Sequence, residues 1–222
     1  MKQLWLRGPN GSGKSTLGKL IAKSVKESVF VSSGALLREQ MGRRDDIVRQ
    51  ELAKGNLADS DLVLELMTRR YKEIKNAGSR LMIVDGFPRK LEEVWRWEKL
   101  VGPPHHVISL SLDDKSVVDR LMNREVCDSC GASYNSFSNE FLRPIVPRIR
   151  GECDFCTNGV LSKRADDSSD AILRRLRIFH ENENDILNAV RVFPNVELIE
   201  CDATKGIAAF EQIAGRISNI YS

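Results

Sequence analysis

The sequence predicts an α/β fold: a doubly wound parallel sheet with a helical segment on one flank and one small cysteine-bearing insertion. Three observations predict it. Short apolar runs alternate with helix-patterned stretches along most of the chain. The glycine-rich "GPNGSGKS" joins an apolar run to a helical one. The segment from Val126 to Lys163 breaks the alternation, being turn-rich, with Pro144, Pro147 and two Cys-x-x-Cys pairs.

Taken in order, "QLWLR" (Gln3 to Arg7) is the first strand, and "TLGKLIAKSV" is the helix that follows the glycine-rich turn. "SVFVS" (Ser28–Ser32) is the second strand. Leu36 to Ala77 has helical character, with breaks at Gly42 and at Gly55-Asn56. "RLMIVD" (Arg80–Asp85) has the length and apolar content of a buried strand. "KLEEVWRWEKL" is an amphipathic helix stopped by Gly102-Pro103-Pro104. Its tryptophans, Trp95 and Trp97, are two apart and so occupy different faces, one of them core. "HVISLSL" is a strand and "KSVVDRLMNR" a helix, which puts Arg120 and Arg124 on one helix face. Ala165 to Val190 is a long helix with a possible break, "VELIEC" the last strand and "KGIAAFEQIAGRI" the last helix.

With 222 residues, 41% of them hydrophobic, the chain fits one domain with a real core. A net charge of +3 suits an anionic ligand but falls short of a nucleic-acid-binding signature. The opening "MKQLWLRGPN" lacks the apolar run of a signal peptide, and no stretch approaches the ~20 apolar residues of a membrane span. A cytoplasmic, reducing setting is therefore expected, with no membrane or nucleic-acid partner and no disulfides among the five cysteines.

"GPNGSGKS" spells G-x-x-x-x-G-K-S, with Gly8, Gly13, Lys14 and Ser15, between a strand and a helix. Glycines let backbone N–H groups curl around phosphate oxygens, and the helix N-terminus adds positive potential. Lys14 reaches terminal phosphates and Ser15 can ligate Mg²⁺; Gly11, Ser12 and Thr16 complete the expected ATP-binding loop. Asp85 ends a buried strand, where an acid can hold Mg²⁺ through water; its plainer role would be a helix N-cap.

"CDSC" (Cys127, Cys130) and "CDFC" (Cys153, Cys156) are separated by 22 residues, close to the two-knuckle zinc template. Four thiolates close the Zn²⁺ tetrahedron, so the expected site is structural, and the metal supplies folding energy that so small an insertion lacks. A redox dithiol is the alternative. Cys201 stands alone and fits a buried apolar filler. Arg175 lies on the apolar side of its helix, where an arginine needs an anionic partner. Clustered guanidiniums beside a phosphate cradle suit phosphoryl transfer, because they stabilise charge spread over the moving group.

Together these motifs resemble the adenylate kinase family in its long form with a zinc-bearing lid, and the resemblance runs in order along nearly the whole chain. It implies a single nucleoside monophosphate kinase domain over residues 1–222, a monophosphate-binding segment at 32–61 and a lid insertion at 126–163. "SSGALLR" resembles the family's S/T-G-D-x-L-R, which implies monophosphate roles for Ser33 and Arg38. "KGNLADSDLV" resembles its G-x-L-V-P-D-E, which implies that Asn56, Leu57 and Ala58 line the acceptor nucleotide. "DGFPR" matches the family signature, implying acceptor roles for Gly86 and Arg89. "DRLMNR" resembles D-R-x-x-G-R and implies that Arg120 meets the ATP adenine and Arg124 its phosphates. "CDSCGASY" matches the lid opening, implying Ser133 and Tyr134 near ATP. "KRADD" and "RRL" resemble the hinge and give Arg164 and Arg175 to the transferring phosphates; "CDATK" resembles D-G-T-K, so Lys205 would contact ATP through its backbone.

The implied reaction is reversible, Mg²⁺-dependent phosphoryl transfer from ATP to AMP by a monomer. Lys14, Arg89, Arg124, Arg164 and Arg175 act as catalytic residues, with Ser15 and Asp85 at the Mg²⁺. No protein base is needed, because the acceptor phosphate is already ionised. The chain departs from the family pattern at Ala35, Asp59-Ser60, Asn123, Glu125 and Ala203, which leaves room for a nucleotide-binding protein of weak catalysis. Glu93 stands where the family has the Gln that reads the acceptor adenine. A carboxylate only accepts hydrogen bonds, so it suits guanine or uracil better than adenine, which opens GMP or UMP as acceptors. The alternative is that Glu93 points to solvent from the edge of its helix.

Overall fold

The computed structural model describes residues 1–41, 46–138, 144–164 and 166–221. Five parallel strands form the central sheet: β1 (Lys2–Arg7), β2 (Ser28–Ser32), β3 (Leu81–Asp85), β4 (His106–Ser111) and β8 (Glu197–Asp202). Their spatial order is β2-β3-β1-β4-β8. The apolar runs are continuous because both faces of the sheet are covered. Leu4 and Leu6, Leu81 and Ile83, and Ile108 and Leu110 point into one core. The alternate residues Trp5, Met82, Val84 and Val107 point into the other.

The first core is closed by α1 (Lys14–Ser24), α6 (Asp114–Met122) and α8 (Gly206–Tyr221). The second is closed by α4 (Ser60–Asn76) and α5 (Leu91–Val101). The long α7 (Ser169–Val192) is one unbroken helix, about 36 Å long at 1.5 Å per residue. Its first turns give Ile172 and Leu176 to one core, and its last turns give Ile186 and Val190 to the other. Ser168 caps it by accepting from the Ala171 N–H at 3.3 Å. The helix therefore starts later than the Ala165 expected: Asp166 to Ser168 are not helical, because the Ser168 cap sets the first turn, and Ala165 itself lies outside the described residues.

The helical stretch after β2 resolves into α2 (Ser33–Met41), α3 (Asp46–Ala53) and α4; the break expected at Gly42 lies outside the described residues. Gly55 has φ +84°, and a Cβ there would stand 2.5 Å from the Ala171 carbonyl oxygen, so only glycine lets this turn approach α7. Trp97 is fully buried, with edge contacts to Phe87 and Tyr71. Trp95 is half-exposed against Phe193. Cys201 is buried in the first core.

One expectation needs correction. Arg124 does not continue the helix of Arg120. The helix ends at Met122, and the Asn123 side chain folds back to donate to the Asp119 carbonyl at 2.8 Å. Arg124 then opens β5 (Arg124–Cys127), the first strand of the insertion. There β5 pairs antiparallel with β6 (Ser133–Asn135) and β7 (Leu161–Ser162), a separate three-stranded sheet with its own small cluster of Cys127, Tyr134 and Leu161.

Candidate functional site

The sheet reverses its order of growth at β1, which has β3 on one side and β4 on the other. In open parallel sheets the crevice beyond the strand C-termini at such a point is where ligands bind. A cleft opens there, lined by Gly8, Asn10 and Lys14 from the first turn, by Gly86 and Arg89 beyond β3, by Leu57, and by Arg175, Phe179 and Asn182 of α7.

On the β1 side, the glycine-rich turn runs into α1. Gly13, at φ +96°, is the residue before the helix, and a Cβ there would fall 2.6 Å from the Phe210 ring of α8. Lys14 turns back over the loop and donates to the Gly8 and Pro9 carbonyls, each at 2.7 Å. Burial pushes its ammonium down to about 8. Asp85 opposes this, Arg89 and Arg7 add to it, and Glu183 opposes it again. The Ser12 hydroxyl is buried with no partner among the described residues. Ser15 donates to an Asp85 carboxylate oxygen at 2.6 Å, so the Asp85 side chain is not an N-cap. This hydroxyl–carboxylate pair offers two hard oxygens side by side, the donor set a Mg²⁺ ion accepts, and the orphaned Ser12 hydroxyl beside the loop fits a phosphate acceptor.

On the β3 side, the Gly86 carbonyl gathers the residues expected around a monophosphate. Ser33 donates to it at 2.6 Å, and Arg89 Nε at 2.8 Å. Gly86 has φ +76°, and a Cβ there would stand 3.0 Å from both the Arg89 guanidinium and the Ser33 hydroxyl. Loss of hydration lowers the Arg89 guanidinium from its ordinary value; Arg175 adds to this and Asp85 opposes it. Asn56 bridges Glu51 (2.5 Å) and Arg174 (3.0 Å), and Ala58 packs on the second core. Glu93 is buried, not turned to solvent. It accepts from the Arg89 N–H at 2.7 Å and from the Ser60 hydroxyl at 3.0 Å.

A third group sits where the insertion joins α7. Arg124 forks onto Asp167, with bonds of 2.8 and 2.5 Å. Arg175 donates to an Asp166 carboxylate oxygen at 2.6 Å and to the Leu52 carbonyl at 3.1 Å, which identifies the anionic partner its apolar helix side required. Arg164 is pushed down to about 10, first by burial and then by the charges of Arg124 and Arg38, with Asp166 and Asp167 opposing. Loss of hydration lowers Arg38, opposed by Asp166. Arg120 is lowered by desolvation, and its Nη1 is buried with no partner among the described residues. Arg7, Lys14, Arg38, Arg89, Arg124, Arg164 and Arg175 thus outnumber Asp85, Glu93, Asp166, Asp167 and Glu183 in one electrostatic neighbourhood. Such an excess is stabilised by a polyanion.

Asp166 and Asp167 of "KRADD" carry no role legible in the sequence. Their partners lie on other elements, so only the adjacency of carboxylates to an arginine could have signalled them. Arg7 and Glu183, a buried ion pair joining β1 to α7, were missed altogether. Three residues expected near the nucleotide, Ser133, Tyr134 and Lys205, are not among those lining this cleft. Tyr134 is buried in the insertion, its hydroxyl accepting from the Asp154 N–H at 2.7 Å and contacting Cys153. Ser133 and Lys205 are exposed, Lys205 at the end of a 3₁₀ turn (Ala203–Lys205).

In the insertion the sulfurs of Cys127, Cys130, Cys153 and Cys156 all lie within 4.8 Å of one another. Cys127–Cys156 and Cys130–Cys153 are each 3.5 Å apart, near the edge of a tetrahedron whose metal–sulfur bonds are about 2.3 Å. Backbone N–H groups of Cys130 and Phe155 point at Cys127 and Cys153 sulfurs, at 3.4 Å each, as suits thiolate ligands. The cluster can coordinate a metal ion. Among the described residues no helix is long and apolar enough to cross a membrane.

The family model described as "Adenylate kinase" matches residues 6–192. A protein named adenylate kinase from Thermosipho africanus is 31% identical over 186 residues, covering 79% of this chain and 80% of its own length. One from Zymomonas mobilis is 32% identical, covering 82% of this chain and 81% of itself. One from Treponema denticola is 34% identical, covering 78% of each.

Proposed function

The chain belongs to the adenylate kinase family and is a phosphotransferase of that type, and from this premise we propose that it moves the terminal phosphoryl group of ATP to AMP, giving two ADP. The observation that carries the reading is the convergence of Lys14, Arg89 and Arg175 on one cleft beside the Ser15–Asp85 pair.

In this reading the turn from Gly8 to Thr16, with Gly11 and Ser12, wraps the donor phosphates, and Lys14 exchanges its loop carbonyls for phosphate oxygens. Ser15 and Asp85 hold Mg²⁺, which neutralises charge on the donor phosphates when bound. Arg120 serves the donor base. Ser33, Arg38, Asn56, Leu57, Ala58, Gly86 and Arg89 hold the acceptor. Arg124 and Arg175 trade carboxylate partners for the group in transfer, so the bonds to Asp167 and Asp166 keep them folded inward until substrate arrives, and Arg164 joins them at the same phosphates. Residues 32–61 form the monophosphate-binding segment. Residues 126–163 form a lid stapled by zinc on the four cysteines, and its closure excludes water that would otherwise take the phosphoryl group.

A coupled assay with ATP, Mg²⁺ and AMP, GMP or UMP tests the reading. AMP turnover should exceed the others, and Asp85→Asn should lower kcat by about 100-fold. Faster turnover of GMP or UMP would move the acceptor assignment, and full activity in Asp85→Asn would remove the Mg²⁺ role.

A further inference from the structure

The peptide joining Pro88 to Arg89 is gripped on both sides by buried charged side chains. Its carbonyl accepts from Arg7 Nη1. Its N–H donates to Glu93 Oε2 at 2.7 Å. Arg7 is 6% exposed and Glu93 2% exposed, so neither is a solvated surface charge. Each is anchored further out. Arg7 forks onto Glu183 of α7 through Nε and Nη2. Glu93 accepts from Ser60, the first residue of α4, whose oxygen is also 3.1 Å from the Lys90 ammonium and 2.7 Å from a Glu92 oxygen.

We propose that Arg7 and Glu93 are positioning residues for Arg89: together they fix the one peptide from which its side chain springs. The proposal rests on the reading of Arg89 as the acceptor-phosphate clamp. The physics is that of two charge-assisted hydrogen bonds on opposite ends of one peptide dipole, with the guanidinium at the oxygen and the carboxylate at the N–H. In a water-poor setting these bonds resist rotation of the peptide. Arg89 precedes Lys90, the residue before α5, so its backbone lies outside the helix. A glutamate reaching back over the start of its helix is a familiar capping arrangement. The grip by Arg7 on the same peptide goes beyond capping, and it links β1, which leads into Lys14, to α7, which carries Arg175. It also gives the buried carboxylate at position 93 a protein partner of its own, the Arg89 N–H.

The test compares Glu93→Ala, Glu93→Gln, Arg7→Leu and the double variant Arg7→Leu/Glu183→Leu in the full chain. The measurements are KM for AMP and for ATP, kcat and Tm. Glu93→Ala should lower kcat/KM for AMP on the order of 10–100-fold while KM for ATP changes less than about twofold. Glu93→Gln keeps an oxygen for the Arg89 N–H and should recover most of the loss, with an unchanged AMP:GMP preference. Arg7→Leu leaves Glu183 buried and unpaired and should lose both Tm and AMP kinetics. The double variant should regain Tm but not the AMP kinetics. Wild-type AMP kinetics in Glu93→Ala or in the double variant would overturn the proposal, as would a changed AMP:GMP ratio in Glu93→Gln, which would make Glu93 a reader of the base. If the double variant fails to fold, the Glu93 pair still decides. Arg89→Met separates the two layers: normal AMP kinetics there would sink the reading of Arg89 itself, and a loss there with none in Glu93→Ala would sink the peptide grip alone.

Discussion

Raising the pH should weaken ATP binding through Lys14 before any other group in the donor site responds. In the nucleotide-free protein its ammonium donates to two loop carbonyls, yet burial still pushes it from 10.5 down to about 8. At 1.36 kcal/mol per unit this is a penalty of about 3 kcal/mol on the charged form. Phosphate oxygens remove that penalty by pairing with the charge, so the bound lysine keeps its proton well above pH 8. The sign follows. Below about pH 8 the free protein already holds the proton and binding takes up none. Above it, binding must draw one proton from solution, and affinity falls about tenfold per pH unit. Isothermal titration of ATP at pH 7.5 and 9, in two buffers of different ionisation enthalpy, measures both quantities. Proton uptake should be small at pH 7.5 and approach one at pH 9. In folded Lys14→Met, affinity should be weak at both values and free of this slope. Equal affinities and no uptake at pH 9 would refute the reasoning. The same shift acts on folding in the opposite sense. Between about pH 8 and 10.5 the unfolded chain keeps a proton that the folded chain has lost, so the nucleotide-free protein gains stability as pH rises across that window.

Two further outcomes are expected. Purified protein should contain about one thiol-bound zinc per chain, and stripping it with a strong chelator, or Cys130→Ser, should open the insertion to proteolysis and abolish turnover while the central sheet stays folded; elemental analysis, limited digestion and circular dichroism check this. Trp97→Ala should cost about 3–5 kcal/mol and lower Tm by about 10 °C, because the ring is fully buried against Phe87 and Tyr71 and its N–H donates to Gln3 at 2.8 Å.

Much of the molecule could be read from the chain because the signals are local. Strand-length apolar runs, the Gly8-to-Ser15 turn and the paired cysteines each carry their meaning within a few residues. Side-chain spacing put Trp95 and Trp97 on different faces, and the structure shows that Trp97 is the buried one. The placement of Arg124 failed for a local reason too: helical periodicity gives no warning that Asn123 will cap the helix and turn the chain into β5.

What the sequence determined by itself was the parallel α/β frame, the phosphate loop and the four-cysteine insertion, since each follows from periodicity or from ligand spacing along one stretch. Only the tertiary structure decided where charges find partners: Ser15 with Asp85, Arg124 with Asp167, Arg175 with Asp166, and Arg7 with both Glu183 and Pro88. It also turned Glu93 inward to the Arg89 N–H. Many of these pairings join elements far apart in the chain, and a buried charge is satisfied by whatever the packing of strands and helices brings beside it, which spacing along the chain does not encode.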